Sequence, residues 1–191
     1  MERQNVRTVT DARVLALLAH PLRRRLMDVL KVDGPSTVGM LAERTGQAPA
    51  NVSHHMRMLA GVDLVEEVPE RARDRRERWW RLVNRAVRWS ATDFAGDPAT
   101  RAVADAAATL NMERHAALVH AWQGADDEAR TAWGEGPFST DRWLRLTPEE
   151  LAELGRQITD LLARWAEREV PDDGRVRDSV FVFAHGVPAR P

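Results

Sequence analysis

The chain has 191 residues, 43% hydrophobic and 30% charged, enough for one module of ~100 residues and a second one, and with no compositional case for disorder. It contains no cysteine, which excludes disulfides and thiolate chemistry, and no apolar run near the ~20 residues that span a bilayer or mark a signal peptide, so a cytoplasmic protein without a membrane partner is expected. The net charge of −1 hides two opposite halves: residues 1–90 hold 17 Arg/Lys against 11 Asp/Glu, and residues 91–191 hold 11 against 18, so only the first half is suited to a polyanion.

Residues 11–18 (DARVLALL) read as a short helix capped by Thr10 and burying Val14, Leu15, Leu17 and Leu18. Pro21 opens a second helix, with Leu22, Leu26, Val29 and Leu30 as its inner stripe, and Gly34-Pro35 ends it. Ser36 or Thr37 caps a third helix running to Thr45, which buries Val38, Leu41 and Met40, and Gly46 supplies the following turn. A fourth helix starts at Pro49, buries Val52, Met56 and Leu59, and closes at Gly61. Two short helices joined by a tight turn, the second with a polar outer face, form a helix-turn-helix pattern. Residues 64–68 and 78–83 read as two antiparallel strands around the charged tip PERARDRRE, a wing too polar to be buried. A linking helix is expected over 84–94, and Gly96-Asp97-Pro98 marks a domain boundary.

Residues 99–122 read as a long helix rich in small side chains, and 126–133 as a shorter one. A strand is expected over 138–146. Thr147-Pro148-Glu149-Glu150 is a capping-box start for a helix to about Glu169 that buries Leu151, Leu154, Ile158, Leu161, Leu162 and Trp165. SVFVFA at 179–184 reads as a final strand. The fold class is therefore mainly α with a small β wing. A winged helix-turn-helix domain is expected over 1–95, and an α-rich domain with a few strands, serving dimerisation and an effector site, over 96–191.

The ordered motifs LAHPLRRRLMDVL, TVGMLAERTG, NVSHHMRMLAGVDLV and RRERWWRLV resemble the ArsR-type winged helix-turn-helix transcriptional regulators over residues 11–89. The resemblance implies a homodimer that sets two recognition helices in successive major grooves of double-stranded DNA and lays its wings on the flanking backbone or minor groove. It also implies a repressor acting on a palindromic operator. The chain departs from members that sense metals through cysteines, because the helix TVGMLAERTG carries no thiol. NRAVRWSATDF lacks the histidine that other members use as a ligand. The tail from Thr147 onward is similar to the tails of larger actinobacterial-type winged-helix regulators.

A reader of major-groove base edges needs short polar side chains near a helix N-terminus. Asn51, Ser53, His54 and Arg57 meet that need, and Gln47 can reach a phosphate from the turn. His55 lies beside the buried stripe and reads as a packing residue. In the wing, Arg71, Arg73, Arg75, Arg76 and Arg78 offer guanidinium groups to phosphates. Trp79 and Trp80 alternate faces and read as packing residues. Trp122, Trp133, Trp143 and Trp165 are candidates for lining a small-molecule effector pocket, against the plainer reading of core or interface. His115 and His120 are five apart and do not align as metal ligands. No catalytic motif is present, so no enzyme, metal or cofactor is expected. Two other readings stay open: a winged helix that binds a partner protein, and a regulator whose C-terminal half senses a metabolite.

Overall fold

A computed structural model of the chain describes residues 6–74, 77–84, 86–89, 91–94 and 96–190. They divide into two compact units, Met1–Arg114 and His115–Pro191. Among the described residues no helix is long and apolar enough to cross a membrane.

The first unit runs β1 (Val6–Thr8), α1 (Ala12–Leu18), α2 (Pro21–Asp33), β2 (Ser36–Thr37), α3 (Val38–Thr45), α4 (Pro49–Ala60), β3 (Val65–Glu67), a 3-10 turn at Pro69–Arg71, β4 (Trp79–Leu82), β5 (Ala86–Arg88), a 3-10 turn at Ala91–Phe94 and the first part of α5 (Pro98–Gln123). The cap of α1 is Asp11 and not Thr10: its carboxylate accepts from Arg13 N, and a carboxylate at this position also suits the positive end of the helix. The α2 helix opens on Pro21, with His20 Nδ1 accepting from Leu22 N at 3.2 Å. Thr37 caps α3, and Gly46 ends it at φ 66°, a left-handed conformation that glycine adopts without steric cost.

The inner stripes predicted for these helices meet in one core. Leu15, Leu26, Leu41, Val52, Met56, Leu59 and Leu64 each leave at most 2% of their surface exposed, and burying each such side chain stabilises the fold by about 1.5–3 kcal/mol. Met40, by contrast, is 41% exposed. In α5 the small residues Ala104 and Ala107 are the buried ones, so that helix approaches its neighbours closely. Arg24 donates to Asn111 Oδ1, and Arg114 pairs with Asp28, tying α5 to α2.

Strands β2, β4 and β3 form an antiparallel sheet in that spatial order, with Ser36 opposite Trp80 and Val65 opposite Leu82. Trp80 is 3% exposed and belongs to the core, while Trp79 is half-buried. The linking helix expected over 84–94 is replaced by β5 and a 3-10 turn. The reason is long-range: β5 pairs in parallel with β1, Val6 opposite Ala86, and a three-residue strand is too short for alternation to show in sequence.

The second unit contains the end of α5, α6 (Asp127–Trp133) and α7 (Pro148–Glu167). Asp126 caps α6 by accepting from Ala129 N at 2.8 Å. At α7 the capping box forms as predicted: Glu150 N donates to Thr147 Oγ1 at 3.2 Å, and Thr147 N donates to Glu150 Oε2 at 2.7 Å. The segments 138–146 and 179–184, read as strands, carry no regular secondary structure. Their composition favours a strand, but a strand exists only where a neighbour shares its hydrogen bonds. Phe181 and Phe183, two residues apart, nonetheless both lie against the His115 ring, at 5.1 and 4.9 Å between centroids.

Candidate nucleic-acid interface

The α4 helix divides cleanly by burial. Val52, His55, Met56 and Leu59 are buried, whereas Asn51, His54 and Arg57 are exposed and Ser53 is half-exposed. The exposed set shares one side because three- and four-residue steps return to the same face. Arg57 Nε donates to Ser53 O at 3.3 Å, which lays the guanidinium along the helix surface. Asn51 Nδ2 donates to Gln47 Oε1 at 3.1 Å. The turn between α3 and α4 thus orients the first polar residue of the exposed face.

His55 is 7% exposed. Its ring lies 4.6 Å from that of His20 and 5.4 Å from that of His54. Burial first, then the neighbouring His20, Arg23 and His54, lower its pKa below the usual histidine value. His20, the cap of α2, belongs to the motif LAHPLRRRLMDVL but was not read as a site residue, since nothing in the chain's periodicity links it to a residue on α4. A cleft of about 600 Å³ lies between these elements, lined by His20, Pro21, Leu22, Arg25, Gln47, Asn51 and His55.

The far end of α4 is held from a distance. Arg7 Nη1 donates to Val62 O at 2.5 Å and to Asp63 O at 2.9 Å, and Arg23 donates to Leu17 O and meets the Met58 thioether. Guanidinium groups suit these positions because unpaired carbonyls gather where helices end. Asp63 takes a positive φ of 55° as the chain reverses into β3, a conformation that aspartate tolerates better than most residues.

In the wing, Arg73 is exposed, and its backbone N donates to Glu77 Oε2 at 2.8 Å. Arg78 pairs with Glu67 at 3.1 Å and Arg81 with Glu66 at 2.7 Å, across the β3–β4 ribbon. Arg71 stacks 5.7 Å from the centre of the Trp79 ring. Arg75 and Arg76 lie outside the described residues. In the second unit, Trp133, Trp143 and Trp165 are 37%, 66% and 60% exposed, and Trp122 is half-buried. Arg168 lies 4.8 Å from the Trp165 ring centre. His185 joins the His115 cluster at 6.0 Å. Among the described residues no group of three or more His, Cys, Asp or Glu is arranged to hold a metal ion.

Residues 18–68 match a family described as a helix-turn-helix domain. No curated protein matches the chain. Solved structures similar to it include Rv1404 from Mycobacterium tuberculosis, at 17% identity and TM-score 0.33 over 79% of this chain and 84% of that one. NadR in complex with 4-hydroxyphenylacetate follows at 15% identity and TM-score 0.34, over 83% of each chain. A C30AH42A mutant of Lactococcus lactis ZitR in apo form stands at 19% and 0.30, over 80% and 89%. The family match spans α2, β2, α3, α4 and β3, and β4, beyond its end, completes the β3–β4 ribbon of the wing. The first unit of this chain therefore carries a helix-turn-helix domain, with the β3–β4 ribbon following its second helix.

Proposed function

We propose that the chain represses transcription as a homodimer bound to a palindromic operator, with α4 in the major groove and the wing on the flanking backbone. The observation that carries this reading is the division of α4 into a buried stripe and an exposed polar face of Asn51, Ser53, His54 and Arg57. The bond from Asn51 to Gln47 occupies one amide hydrogen. The second hydrogen and Oδ1 then face adenine N7 and N6 together, the bidentate pairing open to an asparagine. Arg57, released from Ser53 O, reaches the O6 and N7 of guanine in the same way. Ser53 and His54 contact bases or phosphates, and Arg73, Arg75, Arg76 and Arg78 approach phosphates. Arg78 must first exchange its exposed partner Glu67, a cheap step for a surface ion pair. Of the aromatic residues of the second unit, Trp122 and Trp133 stand as the lining of an effector site.

Footprinting of the chain on genomic fragments tests the proposal. The expected result is protection of an imperfect palindrome with half-sites one helical turn apart, about 34–36 Å, or a multiple of that. Uniform, sequence-independent protection would refute it.

A further inference from the structure

The apolar side of α7 is only partly covered, the C-terminal segment lying near Leu151 at Gly186, and we propose that the rest of it is the seam on which a second copy of the chain docks, with its own α7 antiparallel to the first. This rests on the homodimer proposed above and names the surface that makes it. Leu151, Leu154, Ile158, Leu161 and Trp165 follow one another at alternating steps of three and four residues, the seam spacing of paired helices, and Leu162 widens the stripe. None of the six is buried. Leu161 is 46% and Trp165 60% exposed, and the others are half-buried. From residue 115 to 190, in fact, no described side chain is buried. An amphipathic helix draws most of its stability from burying its stripe, so this one calls for a cover.

The charges beside the seam identify that cover. Along one edge, at seven-residue intervals, stand Glu150, Gln157 and Arg164: negative, neutral and positive, and all exposed. Antiparallel pairing about a two-fold axis at Gln157 sets Glu150 of each copy against Arg164 of the other, twice, and Gln157 against itself. A parallel pair would instead set Glu150 against Gly155 and Gln157 against Leu162, and neither answers the group it faces. On the other edge, Gly155 lets the helices approach closely. One side of a 20-residue helix, about 30 Å long and about 11 Å wide, offers on the order of 500 Å², short of the roughly 800 Å² per partner of a stable interface. Trp143, Leu144 and Leu146, exposed by 66%, 58% and 42% just before α7, supply apolar surface toward the remainder.

Sedimentation equilibrium of the full chain tests this, with helix content followed by circular dichroism. The wild-type chain should be a dimer and Ile158→Arg a monomer. Arg164→Glu, at an exposed position that leaves the fold intact, should weaken the dimer by about tenfold. The double variant Glu150→Arg/Arg164→Glu should recover affinity relative to Arg164→Glu, even though it gives up the glutamate arm of the capping box. A monomeric wild type, an unchanged dimer constant in Arg164→Glu, or a double variant weaker than Arg164→Glu would overturn the proposal. A gel shift on the footprinted operator is read separately, so loss of the DNA reading with an intact dimer, or the reverse, identifies which proposal has failed.

Discussion

The amide of Asn51 is held by Gln47, which reduces the rotamer freedom that the base contact proposed for it must give up. Asn51→Ala should therefore remove an adenine preference at one position of each half-site, at a cost of about 1–3 kcal/mol. Gln47→Ala should blunt the same preference and leave other positions alone. Arg57→Ala should relax selectivity at a different base, whereas Arg73→Ala should weaken every sequence alike and flatten the logarithmic salt dependence by about 0.9. Gel-shift titrations over base-substituted operators at several salt concentrations distinguish these outcomes. His55 makes a prediction of another kind. Its folded pKa is lowered by burial, so the unfolded chain binds the proton more readily. Its contribution to stability is complete above the unfolded value of about 6.5 and is lost as the pH falls through the window below it. Thermal unfolding followed from pH 8 to 5 should show that loss, and His55→Gln should reduce it.

Among the elements, those whose cause is local were legible in the sequence. The α2, α3, α4 and α7 helices follow from apolar periodicity, proline at the first turn, threonine caps and Gly46, and the structure shows each in place. Elements whose cause lies far along the chain were not legible: β1 and β5 exist because they find each other, and the segments 138–146 and 179–184 have strand composition without a strand beside them. The candidate site divides in the same way. The outward face of α4 follows from helical spacing, but Arg7 at its far end and the His20 ring against His55 join residues that no local pattern relates. Removing the methyl groups of a stripe residue should be severe: Leu59→Ala should cost about 2–5 kcal/mol. Thr37→Ala, which removes only the cap of α3, should cost about 1 kcal/mol. Urea denaturation of the two variants ranks them.

For the whole molecule, the opposite charges of the two halves mean that salt should weaken DNA binding through residues 1–90 alone, since the acidic half has little to offer a phosphate. The parallel pairing of β1 with β5 has a consequence in time. It joins residues some 80 positions apart, with Arg88 Nε donating to Thr8 Oγ1 at 3.0 Å as well, so the intervening helices and wing must be gathered before the two strands can meet. Loop closure over that span makes it a late event in folding and an early one in opening. The amide protons of β1 and β5 should exchange with solvent sooner than those of α2 or α4. Each such opening also withdraws Arg7 from the carbonyls of Val62 and Asp63, just past the end of α4. The lifetime of a two-strand clasp thereby sets how often that helix end is released.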